Sequence, residues 1–392
     1  MILRLRKSLY GLVAAGRLFN KYVVAWALRI GFVQLRTDEC IFIYEKEITM
    51  SDGTIHRSTI ILFVYVDDCL VDPSSKEMAK WFDTQWKQTF KSSANSGGEA
   101  DFILGIRIRR NRALKMTTLT QTHYIEDLAG RFGQTIGRDY ETPMATTFDP
   151  TFEEGQPILD LVQYPYRSIL GSMLFLPTRP DVSCPVNELT RHMERPQQKH
   201  WEAALRILRY LFVTKDMGLT YCGALPGYVQ NKLLGHSDST WASDKETSKS
   251  RAGWIIRLNG ASVMWGSRMI HTVCMSSAEA ETSAAVMCAK DMLSMRLLLW
   301  ELGFEQTGSS PISADNQATV KSASGNAQSK QSKYYQMRTS FLRHYVRLGK
   351  INFGYIPGAE QIADQLTKAQ PTARFQKHRA AILGQPPDVF DE

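Results

Sequence analysis

Short apolar runs alternate with polar breaks along the chain, and the period of the apolar positions changes from one stretch to the next. Ile60 to Val71 (IILFVYVDDCLV) reads as two strand-like runs separated by the adjacent Asp67 and Asp68, which fits a two-residue hairpin. Asp101 to Arg109 (DFILGIRIR) alternates as a strand does, and Leu119 to Phe132 reads as a strand end followed by a helix opened by Thr122. From Tyr166 to Thr214 the period becomes helical. Trp201, Leu205, Leu208 and Phe212 recur at helical spacing while Arg206 and Arg209 lie off that stripe, which predicts an amphipathic helix with basic flanks. Strands are predicted at Lys232 to Leu234, around Ala252 to Leu258 and at Ser262 to Trp265, followed by a long helix from about Ser277 to Leu302. Strands followed by a helix indicate a compact α/β domain. Turn-rich stretches at Lys91 to Gly98, Thr142 to Pro157 and Gly223 to Gly227 punctuate this order, the second being the best linker.

Composition narrows the class of protein. With 392 residues, 43% hydrophobic and 22% charged, the chain can build more than one hydrophobic core and is not of the disordered type. Lys and Arg total 47 against 39 Asp and Glu, a balance of +8 that favours a polyanionic partner, nucleic acid first. Apolar runs such as Ile60 to Val66 fall far short of the roughly 20 residues of a membrane helix, so no membrane partner is expected. The start, MILRLRK, has no apolar stretch of signal-peptide length. The six cysteines are scattered, and His271 before Cys274 gives too few ligands for zinc, so reduced core thiols are expected. An intracellular setting follows, in a cytoplasmic particle or the nucleus.

Asp67 and Asp68, at the tip of an apolar hairpin, repel one another, and a divalent cation would compensate them. Taken alone, the pair also reads as an ordinary Asp-rich turn. The surrounding words decide more. KSLYGL from Lys7, DECIF from Asp38, YVDD from Tyr65 and FILGI from Phe102, in that order, resemble the reverse transcriptase of Ty1/copia-type retrotransposons. The resemblance continues through TPM from Thr142, YRSILGS from Tyr166, TRPD from Thr178 and RILRYL from Arg206. It implies that Asp67 and Asp68 are polymerase palm carboxylates that bind Mg²⁺, and that Phe102 to Ile106 lies near the primer-holding strand. In that family a further metal-binding aspartate precedes the KSLYGL-like word. Before Tyr65 this chain has only Asp38 and Asp52, so the chain alone is expected not to polymerise DNA.

Four later words, GHSDSTWA from Gly235, SSAEAE from Ser276, ADNQ from Ala314 and QIADQLTK from Gln361, resemble the acidic words of copia-type RNase H. Carried over by position, the resemblance implies Asp238, Glu279, Asp315 and Asp364 as metal ligands, holding two Mg²⁺ ions with Mn²⁺ as a substitute. Read from the residues, Asp238 follows a strand, Glu279 opens a helix and Asp315 follows a strand-like run; singly, each also reads as a surface or capping carboxylate. Glu281, two positions on, points away from Glu279 on a helix and is the weaker ligand candidate. At KYYQ from Lys333 the chain departs from the family's Lys-His-Ile-Asp, with Tyr334 in place of the His, which bears on substrate handling more than on metal binding.

From Asn316 to Ala359 there is no Asp or Glu, and Lys330, Lys333, Arg338, Arg343 and Arg347 fall within that stretch as candidate nucleic-acid contacts. Arg343 and Arg347 at i, i+4 spacing read equally as a solvated helix face. The expected architecture is α/β and α+β multidomain: a truncated polymerase palm and thumb over residues 1–145, a helical connection over 146–225, and an RNase H-like domain over 226–392. The implied activity is Mg²⁺-dependent cleavage of RNA in RNA–DNA hybrids, with the hybrid, an RNA template and a preceding Pol region as partners. The alternatives are a fragment of an active RNA-directed DNA polymerase and a non-enzymatic nucleic-acid-binding remnant.

Overall fold

The computed structural model describes residues 12, 15–49, 55–66, 68–90, 98–134, 137–223, 230–325 and 333–385. They form two compact units, one drawn from residues 1–103 and 294–305 and the other from 104–293 and 306–392. Among the described residues no helix is long and apolar enough to cross a membrane.

The first unit contains α1 (Ala15–Arg29), β1 (Val33–Gln34), β2 (Ile41–Thr49), β3 (Ile55–Tyr65), β4 (Asp68–Pro73), α2 (Lys76–Thr89) and the two-residue β5 (Phe102–Ile103). Its sheet runs β1-β2-β3-β4, antiparallel throughout. Ile60, Leu62 and Val64 of β3 alternate inward, where they meet Trp26 of α1 and Phe82 of α2 in one core. Trp26, Trp86 and Phe90 pack ring against ring at centroid distances of 4.2 to 5.2 Å. The expected hairpin is present, but its closing pair is Tyr65 with Asp68. Asp68 therefore opens β4 and does not sit in the turn, and Val66 takes the turn's left-handed backbone at φ 55°. Asp68 is exposed, whereas Asp67 lies outside the described residues.

The second unit begins with β6 (Ile106–Asn111), β7 (Met116–Thr120) and α3 (Thr122–Arg131). The strand expected from Asp101 is broken by Leu104 and Gly105, both at positive φ, so pairing with β7 starts only at Arg107. A helical layer follows: α4 (Tyr166–Leu174), α5 (Ser183–Thr190) and α6 (Gln198–Val213), sharing one core with α3. The chain then returns to the small sheet, where β8 (Leu219–Cys222) pairs antiparallel with β7. The face of α6 differs from the expected stripe. Ala204, Ile207, Leu208 and Leu211 are fully buried while Trp201, Leu205 and Phe212 are half-buried, because helices and the neighbouring loop cover α6 on more than one side. Arg209 is buried and Arg206 bonds the Thr142 carbonyl and lies over the Tyr140 ring, so the flanking arginines face protein and not solvent.

The larger sheet holds β9 (Leu234–Thr240), β10 (Arg251–Leu258), β11 (Ala261–Met269), β12 (Ser310–Ala314) and β13 (Ile351–Tyr355) in the order β11-β10-β9-β12-β13. The first three strands are antiparallel, whereas β12 runs parallel to both β9 and β13. α7 (Ser277–Glu301) lies in sequence between β11 and β12, and α8 (Gln317–Ala323) and α9 (Lys333–Arg347) lie between β12 and β13, as parallel neighbours require. A 3₁₀ turn (Ile362–Leu366) and α10 (Thr372–Leu383) finish the unit. Two glycines set the layer spacing. A Cβ at Gly235 would come within 2.9 Å of Met292 and 3.1 Å of Cys288 on α7. A Cβ at Gly253 would lie 2.7 Å from Thr367 and 2.9 Å from the Ala363 carbonyl. Gly253 pairs with Asp238, three residues from Gly235, so the two close approaches are on opposite faces of the sheet. Gly253→Ala is expected to cost about 1–3 kcal/mol by overpacking and to displace the turn carrying Asp364, measurable as a lower denaturation midpoint.

Burial also shapes pH dependence. A polar cleft of about 350 Å³ is lined in part by Asp149, Arg191, His192, Asp244 and Lys245. Two ion pairs line it, Arg191 with Asp244 at 2.7 Å and Lys245 with Asp149 at 2.5 Å. The His192 ring stacks on His200 at 4.3 Å. Burial, then the neighbouring His200 and Arg191, hold His192 down at about 4, and burial lowers His200 as well. The unfolded chain binds protons at these rings first, so stability should fall as pH drops from about 6.5 towards 4. His192→Phe, which keeps the stack but cannot titrate, should flatten that slope in denaturant melts across the window.

Candidate metal centre of the second unit

Asp238 lies within β9, Glu281 in the second turn of α7, and Asp315 just past the end of β12. Sheet and helix bring them together: one carboxylate oxygen from each lies within 4.8 Å of the other two. Asp238 and Glu281 are buried and Asp315 is half-buried. Each is held by short-range contacts. The Thr367 hydroxyl donates to Asp238 Oδ2 at 2.6 Å, and the Ser239 backbone N–H and hydroxyl donate to Glu281 Oε1 at 3.2 and 3.0 Å. Asn316 caps α8 by accepting from the Thr319 N–H at 3.0 Å, which fixes the backbone beside Asp315. Gln361 ties the frame by donating to the Ser237 carbonyl at 2.9 Å.

Burial and mutual repulsion leave a mark on all three. Asp238 is pushed well up by burial and then by Glu281 and Asp364. Glu281 rises to about 7 through burial and the nearby Asp315, and Asp315 rises through burial and Asp364. An all-oxygen donor set with excess negative charge, partly withdrawn from water, suits a hard divalent cation.

Of the four expected carboxylates, the group holds Asp238 and Asp315 but neither Glu279 nor Asp364. The structure brings Glu281, and not Glu279, into the group. Two residues on a helix differ by about 200° in direction, so only one of the pair can face β9. Glu279 instead serves the start of α7: its carboxylate accepts from the Met275 N–H at 2.9 Å and pairs with Arg338 at 3.6 Å. Asp364 lies beside Asp238 but outside the three-carboxylate group, and its oxygens meet Lys368 Nζ at 2.9 Å and the Arg374 guanidinium. Lys368 and Arg374 were not anticipated from the sequence, although Lys368 stands four positions after Asp364 at ion-pair spacing.

Among the expected nucleic-acid contacts, Lys333 and Arg347 on α9 are exposed. Arg338 is drawn to Glu279, and Arg343 donates to the Ser322 carbonyl at 2.7 Å, because Tyr335, Thr339 and Leu342 on the same helix are buried and hold α9 against the domain. Lys330 lies outside the described residues. Trp241, just past the end of β9, is 50% exposed, its indole N–H donating to the Cys274 carbonyl at 2.8 Å.

A sheet of three antiparallel strands continued by two parallel ones, with acidic side chains gathered from β9, α7 and the end of β12, defines an RNase H-like domain. Residues 1–146 match the family described as reverse transcriptase (RNA-dependent DNA polymerase). The chain is 30% identical over 389 residues to a retrovirus-related Pol polyprotein from transposon RE2 of Arabidopsis thaliana, covering 98% of this chain and 25% of that protein. It is 29% identical to the corresponding polyprotein from transposon TNT 1-94 of Nicotiana tabacum, covering 96% of this chain and 28% of that protein. Against a Ty5-1 transposon protein of Saccharomyces cerevisiae it is 30% identical over 277 residues, which is 70% of this chain and 84% of the yeast protein. The chain belongs to the Ty1/copia-type retrotransposon Pol family. It spans about a quarter of the length of the plant polyproteins it matches. Among solved structures, a foamy viral protease-reverse transcriptase in complex with RNA/DNA hybrid aligns over 93% of this chain and 41% of its own, at 14% identity and a TM-score of 0.44. LC11-RNase H1 with an RNA/DNA hybrid aligns over 35% of this chain and 94% of its own, at 16% identity and a TM-score of 0.28.

Proposed function

We propose that the second unit is a divalent-cation-dependent nuclease that cleaves the RNA strand of RNA–DNA hybrids. The observation that carries this reading is the convergence of Asp238, Glu281 and Asp315, far apart in sequence, within 4.8 Å. Mg²⁺ is the ion that the donor chemistry fits, with Mn²⁺ as its substitute. Asp238, Glu281 and Asp315 would hold it. When bound, the ion supplies a Lewis acid that activates water and offsets charge on the leaving 3′ oxygen. The chain's own residues do the rest. Thr367 and Ser239 fix the orientation of two carboxylates, and the interior strands β9 and β12 together with α7 hold them in place before substrate arrives. Exposed Lys333 and Arg347 supply sequence-independent phosphate contacts. Recognition by shape and 2′-OH suits a nuclease that must act on many sequences.

The test is a hybrid with a labelled RNA strand, incubated with the purified chain and Mg²⁺. Cleavage of the RNA in the hybrid, and not of the DNA or of single-stranded RNA, is expected. Hybrid binding without cleavage would favour a non-enzymatic remnant instead. A second reading, RNA-directed DNA polymerisation involving the first unit, is favoured by the family match over residues 1–146 and is tested by templated nucleotide addition.

A further inference from the structure

Among the described acidic residues at the centre, Asp364 is the one that forms ion pairs with protein cations. Its side chain is 3% exposed, with Lys368 Nζ 2.9 Å from Oδ1 and the Arg374 guanidinium on Oδ2. The two cations differ in how firmly they are held. Arg374 also donates to the Gly358 carbonyl, and a Cβ at Gly358 would lie 3.3 Å from Asp315 Oδ2, so Arg374 is tied to the turn packed beneath that carboxylate. Lys368 reaches Asp364 through a flexible stem, its side chain 47% exposed to solvent. Next to it, Thr367 bonds Asp238 Oδ2 at 2.6 Å and the Asp364 carbonyl at 3.1 Å, so the backbone that carries Lys368 is fixed to the centre even though its ammonium is not.

Resting on the nuclease reading above, we propose that Lys368 is a displaceable internal cation: it occupies Asp364 in the metal-free chain and must give way before Asp364 can join the other three carboxylates in holding a divalent ion. Arg374 is the fixed partner that keeps Asp364 in place during the exchange. The centre then has two unequal cation positions. One is formed by Asp238, Glu281 and Asp315; the other needs Asp364 and competes with the lysine. The field of Asp238, which also acts on the Lys368 ammonium, strengthens the lysine's hold. Lys368 is a positioning residue in this account, and its effect is read on ion binding itself.

The experiment is Mg²⁺ titration by calorimetry and Mn²⁺ titration by electron paramagnetic resonance, on the full chain without nucleic acid. Lys368→Met should tighten the weaker site by about tenfold, the effect of removing one unit charge a few ångströms from the ion. Lys368→Arg, which retains the charge, should stay near the wild type. Asp364→Asn should lose the weaker site, and adding Lys368→Met to it should then change nothing. Unchanged or weaker binding in both Lys368→Met and Lys368→Gln, with melting curves that show folded protein, would overturn the exchange while leaving the nuclease reading intact. Absence of any divalent-ion binding by the wild type would overturn both.

Discussion

Asp238→Asn is expected to lower hybrid cleavage by about a thousandfold or more, equivalent to about 4 kcal/mol of lost transition-state stabilisation, and to make the metal-free chain more stable. The two effects share one cause. Asp238 is buried with Glu281 and Asp315 close by, so the folded chain carries like charges that water screens poorly. Asn preserves shape and leaves a carbonyl for the Thr367 hydroxyl, yet removes the repulsion. A gain of about 1 kcal/mol is the scale on which functional sites trade stability for activity, enough to raise the melting temperature by a few degrees. Mg²⁺ should stabilise the wild type by mass action and the variant far less. A variant that melts lower than the wild type without metal would show that the carboxylates are not in mutual repulsion.

The second large effect concerns stability alone. Arg179 and Asp181, both fully buried, form a two-pronged pair at 2.9 and 2.8 Å on either side of Pro180. The Tyr210 hydroxyl donates to Asp181 at 2.6 Å, and Arg179 also donates to the Thr214 carbonyl and hydroxyl at 2.9 and 2.8 Å. Burial works to raise Asp181, but Arg179 and the Tyr210 hydroxyl outweigh it and hold the carboxyl below its usual range. Asp181→Ala leaves a guanidinium enclosed without its counter-charge, and about 3–5 kcal/mol of stability should be lost. Arg179→Met combined with Asp181→Leu should recover much of that, since an apolar pair of similar volume carries no desolvation cost. Urea denaturation of the wild type, the single variant and the double variant measures both. A double variant as unstable as the single one would mean that the hydrogen bonds to Tyr210 and Thr214, and not the enclosed charge, set the cost.

The fold was largely legible wherever one period ruled a stretch. β10, α3 and α7 begin and end close to where alternation, turn residues and Thr122 place them, whereas β11 starts as expected but runs on past Trp265 to Met269. The departures have local causes. Leu104 and Gly105 turn the chain through positive φ inside an alternating run, and the hairpin of the first unit closes one residue earlier than the Asp-Asp pair suggests. On α6 a single stripe undercounts burial, because Arg206 and Arg209 find protein partners that no periodicity encodes. At the candidate centre, Asp238 and Asp315 were named by the resemblance of their words to RNase H, and the structure brings their carboxylates together, with Asp238 inside β9 and not after a strand. The choice between Glu279 and Glu281 was not legible: both are in the same acidic word, and only the direction in which α7 meets β9 separates them. Lys368 and Arg374 stayed hidden for a related reason, since a cation that neutralises a carboxylate across a turn leaves no periodic signature.

The nuclease role of Asp238, Glu281 and Asp315 is tested most directly by divalent-ion-dependent cleavage of an RNA–DNA hybrid measured side by side for the wild type, Glu281→Gln and Glu279→Gln. The expected result is cleavage by the wild type, near-complete loss in Glu281→Gln, and retained cleavage in Glu279→Gln with at most a weakened start of α7. Cleavage that survives Glu281→Gln, or a folded wild type that binds the hybrid and leaves its RNA intact in both Mg²⁺ and Mn²⁺, would contradict it.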